Sequence, residues 1–357
     1  MDINPILLLA AVMVASTPVL LAAIGELVVE RSGVLNLGVE GMMITGAVFG
    51  YIIGHGSGSA IGGFAAAALA GACLSLIFGF LTQFLLTNQT ATGLGLTLFG
   101  LGLSSLVGQG ATATYPVTVP RLPIPLLSDI PSLGPILFNH DAVVYLSILL
   151  IVLVWFIMFR TRAGLILRAT GENHDAAHAL GYPVRLVRML AIFFGGGCAG
   201  LAGAYISLVR VPQWTDGITA GAGWIALAIV VFASWKPFRL LIGAYLFGGV
   251  TVLQLNLQAD GTLALLDIAI GLLAVAAAVV WLTRSITKKA AAPMDNLLSV
   301  IILVLSVVYG LLRLAGMQTI PIEYLSMLPY LATIAVLVGL RASNAPASLG
   351  KTFHAST

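Results

Sequence analysis

The feature that most constrains this chain is a series of long apolar segments separated by few charged residues. The 357 residues include only 16 Lys and Arg and 13 Asp and Glu, whereas 59% are hydrophobic and the mean hydropathy is +1.07. Soluble domains carry about 25% charged residues, because those side chains keep the surface in water. Lipid is therefore the main solvent of this chain, which excludes a soluble enzyme, a disordered tail and a secreted disulfide scaffold. The net charge of +3 is too small to indicate a nucleic-acid partner.

About eleven segments are apolar and long enough to be transmembrane helices. A helix needs about 20 mostly apolar residues to cross the hydrocarbon core of a bilayer. The N-terminal run lacks a basic region and is too long for a signal peptide, so we expect it to be retained as a span. The sequence therefore predicts an all-α integral membrane protein, with spans near 5–28, 39–54, 59–86, 91–108, 142–159, 187–209, 218–234, 239–257, 262–283, 297–315 and 323–340.

The distribution of Lys and Arg predicts the orientation of these spans. With the N-terminus outside, thirteen of the 16 basic residues fall in inside loops, and only Arg121, Arg210 and Arg313 fall outside. Loops with an excess of Lys and Arg stay in the cytoplasm. We therefore expect an outer N-terminus, a cytoplasmic C-terminus and a location in the inner (plasma) membrane of the cell.

Two loops are longer than turns. The outer loop, about 109–141, contains six prolines and is expected to form an ordered or extended cap. The inner loop, 160–186, is the most polar stretch of the chain. It offers a helix cap at Gly171-Glu172-Asn173, a carboxylate in the first turn at Asp175 and a stop at Gly181. A short capped helix at the cytoplasmic face has the shape of a docking element, although a solvated loop with one helical turn is the simpler alternative.

Three short motifs resemble chemical sites but have simpler explanations. Gly350-Lys351-Thr352 resembles the end of a phosphate-binding loop, but position 345 is Ala where that pattern needs Gly. The glycines of 195–200 formally match a dinucleotide-binding pattern, yet they lie in an apolar helix, so close packing through Gly196 and Gly200 is expected. His174 and His178 are spaced as metal ligands on a helix can be, but without an evident third ligand we expect a solvated pair. The sequence therefore predicts no catalytic or metal site.

Six stretches of the sequence together resemble a known family of membrane proteins. In chain order they resemble the permease subunits of ABC importers for branched-chain amino acids and simple sugars, and most of all the nucleoside-type branch. The resemblance covers about 1–260 and 319–357. The stretches are Glu26 to Val48, Thr87 to Leu98, Arg168 to Arg188, Gly223 to Phe238, Phe247 to Gln258 and Asn344 to Lys351.

The resemblance implies a type II ABC importer permease with inverted repeats, which works together with separate subunits. The inner loop would hold a coupling helix that contacts a separate ABC ATPase subunit; that subunit uses ATP, and no cofactor is expected in this chain. Further partners would be a paralogous permease subunit, an extracytoplasmic substrate-binding (lipo)protein, membrane lipid and a small polar solute. A nucleoside is the preferred solute, with a simple sugar or a branched-chain amino acid as alternatives. The expected ATPase contacts are Gly171, Glu172, Asn173, Asp175, Ala176, Ala177 and Gly181.

Two short Gly-rich spans indicate where a translocation path would lie. Transporters often contain inverted repeats whose short or broken helices meet near the midplane, and spans 39–54 and 218–234 are short and opposite in predicted direction. A polar side chain in a membrane helix is costly unless it is hydrogen-bonded between helices or faces a wet cavity. A tryptophan there stacks on a planar ligand or anchors the helix at the membrane interface. The candidates for the path are Asn36, Glu40, Asn88, Gln89, Thr92, Trp224, Gln254 and Asn256.

Two features depart from the family pattern. Ala222 stands where the resemblance leads us to expect a basic residue. The segment 261–318 is an insertion between the permease core, 1–260, and the last core helix and tail, 319–357. Its two apolar runs flank a basic loop, so we expect a two-helix hairpin at the periphery of the protein.

An ion-coupled secondary transporter is the main alternative function. Coupling to protons or sodium usually needs carboxylates or unwound backbone within the membrane. The candidate carboxylates are Glu26, Glu40 and Asp267.

Overall fold

The structure is a computed structural model that describes residues 5–111, 117–131, 133–259, 263–264, 319–320, 327 and 345–354. These residues belong to two compact units. The first is the chain up to Tyr245 together with the C-terminal tail, and the second is the intervening part from Leu246 to Ser343.

The described part of the chain is mostly helical. The helices are α1 (Pro5–Arg31), α2 (Val39–Ser57), α3 (Ala60–Gln83), α4 (Gln89–Gly108), α5 (Leu133–Leu137), α6 (Ala142–Arg160), α7 (Arg162–Glu172), α8 (His174–Ala179), α9 (Val184–Tyr205), α10 (Ala222–Phe232) and α11 (Pro237–Ala259). A π-helical turn, Ile206–Arg210, continues α9. The short strands are β1 (Arg121–Pro123), β2 (Asn139–Asp141), β3 (Leu263–Ala264) and β4 (Thr319–Ile320).

Six of these helices are long and apolar enough to cross a membrane, so the chain has the helices of a multi-pass membrane protein. They are Ile6–Arg31, Ala60–Gln83, Gln89–Gly108, Ala142–Arg160, Val184–Arg210 and Pro237–Asn256. The first eight predicted spans each correspond to a helix, but two of these helices differ from ordinary spans. The 19-residue α2 begins with a carboxylate, and the 11-residue α10 rises only about 16 Å. The three predicted spans after residue 260 lie outside the described residues, so the count of eleven stays a prediction.

Glycines let the central helices α2, α3 and α9 approach each other closely. The backbone of Gly46 on α2 faces Gly200 on α9, and Gly71 on α3 faces Gly196 on α9, with no room for a side chain at either contact. The expectation that Gly196 and Gly200 pack helices together is therefore confirmed. Between membrane helices such close packing replaces the hydrophobic driving force that lipid removes.

The helices α2 and α10 run in opposite directions, as predicted. Their N-termini meet, because the backbone N–H of Gly223 donates to the carboxylate of Glu40. From there α10 runs toward Trp235, whose carbonyl accepts from Arg31 at the end of α1. In contrast, α2 ends near Leu208, at the far end of α9.

Short strands occur at two places where the sequence predicts none. In the described part of the predicted outer cap, β1 pairs with β2 in an antiparallel ribbon. In the second unit, β3 pairs with β4, which brings together the two ends of the segment 265–318. The predicted hairpin within that segment lies outside the described residues and stays a prediction.

We predict that Gly200→Ala destabilises the protein. A Cβ at position 200 would overlap the carbonyl oxygen of Ala67, so α3 and α9 would have to separate, at a cost of about 1–3 kcal/mol. Gly197→Ala on the same helix is the matched control, because its new Cβ would stand 3.8 Å from the nearest atom, the carbonyl oxygen of Ala68. Thermal unfolding of the detergent-solubilised protein should show a lower Tm for Gly200→Ala alone. Equal Tm values would contradict the packing argument.

Candidate functional site

Several polar segments converge at one end of the helix bundle. They are the C-terminus of α1, the elbow (residues 32–38), the N-termini of α4 and α9, the α7–α8 segment (residues 162–179) and the tail (residues 345–354). Most of the arginines with described contacts also lie there, and we call it the basic end. The sequence predicts this end to be cytoplasmic.

The short helix α8 is built as its sequence predicts. The Asn173 side chain caps it by accepting a hydrogen bond from the Ala176 N–H (3.0 Å), and Asp175 lies in its first turn. The chain turns away at Gly181, whose φ of +86° is easily reached only without a side chain. The predicted capped helix is therefore present.

The residues expected at an ATPase contact fall on two faces of the α7–α8 segment. Gly171 and Ala177 are buried within the permease: Gly171 packs on the Arg31 backbone, and Ala177 is only 2% exposed. The remaining expected residues are exposed. They are Glu172, Asn173, Asp175, Ala176 and Gly181.

The tail lies against the buried side of the α7–α8 segment. The Ser348 N–H donates to the Gly171 carbonyl (2.9 Å), and the Ser348 hydroxyl donates to the Glu172 carbonyl (3.3 Å). The Phe353 ring is buried against Ala177 and Val184. It also meets the rings of His174 and His178 edge-on, with centroids 5.5 and 5.2 Å away.

Arg188 is a fully buried arginine that joins the elbow, the tail and α8 to the end of α3. Its guanidinium donates to the Ser32 carbonyl (3.3 Å) in the elbow and to Oε1 of Gln83 (3.3 Å) at the end of α3. It also bonds the Lys351 carbonyl (3.1 Å) in the tail and Nδ1 of His174 (3.3 Å) on α8. Uncharged oxygen and nitrogen acceptors therefore replace the water that this cation has lost.

His174 is not part of a solvated pair, which corrects the expectation from its spacing. Only 8% of the residue is exposed. Burial lowers the pKa of this imidazole, and the nearby positive charge of Arg188 lowers it further. The neutral ring accepts the Arg188 hydrogen bond, whereas a protonated ring could not. Sequence spacing does not predict this contact, because the two residues are 14 positions apart in different elements.

Glu40 connects the two short helices inside the bundle. Its Oε1 accepts from the Thr219 hydroxyl and the Gly221 N–H (3.0 Å), and its Oε2 accepts from the Gly223 N–H (2.7 Å). These donors belong to the N-terminus of α10, which carries partial positive charge and favours a carboxylate. The sequence left two roles open for Glu40, a hydrogen bond between helices or a place facing a wet cavity. The structure shows the hydrogen bond between helices.

The other expected path residues are distributed over several places. Asn36 is fully buried in the elbow, where its Oδ1 accepts from the Gly38 N–H (3.0 Å). Asn88 caps α4 and is exposed. Gln89 accepts from the Leu35 N–H (2.8 Å), while Thr92 bonds the Asn88 carbonyl (2.7 Å). Trp224 is 37% exposed on α10.

Gln254 and Asn256 belong to the second compact unit and are described separately. Gln254 is buried, whereas Asn256 is exposed and donates to the Val252 carbonyl (2.8 Å) within α11. The structure therefore places Asn36, Gln89 and Thr92 near the basic end and only Glu40 and Trp224 at the start of α10. A role for these residues in translocation stays a prediction.

We predict that Glu40→Gln lowers stability by about 1–3 kcal/mol. The amide NH₂ cannot accept, so at least one buried N–H of the α10 N-terminus loses its partner. Asp216→Asn, at an exposed position in the preceding loop, removes the same charge and is the control. Thermal unfolding in detergent should separate the two variants. A Tm of Glu40→Gln equal to that of the parent would show that the carboxylate is not required there.

We also predict that the basic end loosens in acid. Because the folded state lowers the pKa of His174, its contribution to stability is complete above about pH 6.5 and is lost as the pH falls through the folded pKa. The charged groups that face this ring are Arg188, Asp175, Lys351 and His354.

The measurement is Tm between pH 7.5 and 5 for the parent, His174→Gln and His178→Gln. The parent and His178→Gln should lose Tm with acidification more steeply than His174→Gln, since His178 also touches Phe353 but is exposed. Parallel curves for all three would exclude His174 as the group that titrates.

Comparison with known proteins gives a consistent relationship. A sequence profile for the family described as branched-chain amino acid transport system / permease component matches residues 8–337. A protein of Haloferax volcanii, provisionally named glucose ABC transporter permease protein TsgC13, is 43% identical over 255 residues, which cover 70% of this chain and 78% of the relative. No solved structure matches the chain.

Two further relatives carry names from nucleoside transport. The guanosine ABC transporter permease protein NupQ of Bacillus subtilis is 36% identical over 264 residues, covering 70% of this chain and 82% of the relative. The nucleoside ABC transporter permease protein NupC of Lactococcus lactis is 30% identical over 258 residues, covering 69% and 81%. With its apolar helices and the family profile along most of its length, the chain belongs to the permease-component family of ABC transporters and is a multi-pass membrane transport subunit rather than an enzyme.

Proposed function

We propose that this chain forms half of the translocation path of an ATP-driven importer in the inner membrane, with the basic end in the cytoplasm. A separate ABC ATPase subunit would dock on the exposed face of the α7–α8 segment. A paralogous permease would supply the other half of the path, and an extracytoplasmic binding protein would deliver the solute. No cofactor is assigned to this chain itself.

The observation that carries the proposal is the exposed face of α8. Glu172, Asp175 and Ala176 are exposed, whereas the opposite face is fixed to the rest of the permease by Ala177. Beyond them, Leu180 is 75% exposed and adds an apolar side chain to this polar face. A polar rim around an exposed leucine is the composition of a protein contact.

The proposed solute is a nucleoside, with a simple sugar as the alternative. The support is the names of the relatives, two from nucleoside transport and one from glucose transport. The two classes share a hydroxylated sugar ring, which needs hydrogen-bonding groups along its path.

The ion-coupled alternative has less support in the geometry. Both oxygens of Glu40 already accept hydrogen bonds from the α10 N-terminus. Glu26 is buried and accepts from the Asn36 N–H (3.3 Å). The third candidate, Asp267, lies outside the described residues.

We predict that Ala176→Trp reduces uptake at least tenfold without loss of membrane insertion. An indole on the exposed face of α8 would hold the ATPase away, whereas the same change at the buried Ala177 would also disturb folding. Ala65→Trp, at an exposed position on α3, is the matched control. The assay is ATP-dependent uptake of radiolabelled guanosine, adenosine and glucose by the reconstituted transporter, together with co-purification of the ATPase.

Two results would count against the proposal. Normal uptake and normal ATPase binding by Ala176→Trp would remove α8 as the docking element. Uptake that follows an ion gradient and needs no ATPase would favour the secondary transporter.

A further inference from the structure

We propose that the tail, residues 345–354, is a fixed strut that carries force from α8 to the elbow, and that Arg188 is the positioning residue that holds it. The inference rests on the proposed function, because it assigns a route for a push delivered at α8. Neither the family relationship nor the relatives' names assign a role to this segment.

The first step of the route joins the tail to the α7–α8 segment. The tail bonds α7 through the Gly171 and Glu172 carbonyls, and the Ser348 hydroxyl accepts from the His174 N–H (3.4 Å) at the start of α8. Phe353 is 3% exposed and fills the space between Ala177 and Val184. A displacement of α8 toward the membrane therefore acts directly on the tail.

The second step joins the tail to the elbow. The Gly350 N–H donates to the Gly33 carbonyl (3.1 Å), and the Lys351 carbonyl accepts from Gln89 Nε2 (3.4 Å). Gln89 in turn accepts from the Leu35 N–H in the elbow. The elbow ends at Gly38, two residues before Glu40, the carboxylate that holds the N-terminus of α10.

Arg188 stabilises the contact between tail and elbow, because its side chain bonds both segments. Its guanidinium bonds the Lys351 carbonyl in the tail and the Ser32 carbonyl in the elbow, and it is fully buried. In the described part of the chain no carboxylate lies within ion-pair distance of it. The tail carbonyl is therefore one of the few groups that compensate this cation, and removing the tail would leave part of its donor set unsatisfied.

The geometry also offers a way to lock the strut in place. A Cβ built on Gly350 stands 3.9 Å from the Cβ of Leu35, within the range of about 3.5–4.5 Å found in disulfides. Leu35→Cys with Gly350→Cys should therefore form a disulfide between tail and elbow. A background with Cys73→Ser and Cys198→Ala removes the native thiols. Because Gly350 has a φ of +73°, Gly350→Cys alone is the control for backbone strain.

The experiment uses the reconstituted transporter and measures uptake and ATP hydrolysis in the same vesicles. Phe353→Ala and a chain ending at Ser343 should lose at least tenfold in uptake while ATP hydrolysis remains within about twofold of the parent. Phe353→Leu should restore most of the uptake, since it refills the same apolar space. Lys351→Ala should behave as the parent, because the hydrogen bonds that this residue makes in the tail all use its backbone N–H and carbonyl.

The oxidised double-cysteine variant decides whether the strut is fixed. Uptake at the level of the reduced protein supports a strut fixed to the elbow, and inhibition that dithiothreitol reverses would overturn it, because the tail would then have to move relative to the elbow. Parent-level uptake by the truncated chain would also overturn the proposal, as would equal losses of uptake and ATP hydrolysis. If the parent itself shows no ATP-driven uptake, the proposed function fails. The yield of the disulfide between Leu35→Cys and Gly350→Cys still tests the strut in that case, because failure of the two cysteines to cross-link would refute the contact between tail and elbow.

Discussion

The rest of this structure depends on the need to satisfy every backbone polar group without water. In hydrocarbon an unbroken helix satisfies itself, but a helix that begins inside the bundle exposes its first N–H groups. Here α10 begins at Ala222 after the N-cap Gly221, and the Glu40 carboxylate accepts from the Gly221 and Gly223 N–H groups. Because Glu40 is the second residue of α2, this one carboxylate fixes two short, opposed helices against each other. The close glycine contacts of α2 with α9 then determine where that pair lies in the bundle.

At the basic end, a buried positive charge likewise has to be hydrogen-bonded without water. Arg188 lies fully buried at the start of α9 and has only uncharged partners within hydrogen-bond distance. Each partner comes from a different element, so the arrangement is complete only when the elbow, α3, α8 and the tail are all in place. A buried charge compensated in this way makes the position of each element depend on the others. Through Arg188, α8 and the tail are thereby linked to the elbow that precedes α2.

Patterns local in sequence predicted much of this fold. Apolar length located the helices of the first eight predicted spans, and the Asn173 cap with Gly181 located α8. The span near 218–234 was too long, because composition does not show that Gly217, Ala220 and Gly221 adopt left-handed backbone and delay α10 until Ala222. The solvated state expected of His174 was wrong for a different reason. Its cover comes from Phe353, which lies about half the chain away in sequence, and periodicity within one helix contains no information about so distant a partner.

The position of Ala177 shows why such distant contacts matter for function. A small residue on a docking helix suggests close approach to a partner subunit, and this expectation applied equally to Ala176 and Ala177. The structure separates them: Ala176 is exposed, while Ala177 is covered by the permease's own tail. One face of α8 is therefore available to another subunit, and the other is held by a segment that also contacts the elbow. Under the proposed function, a force applied to the exposed face of α8 would therefore act on the tail and the elbow together.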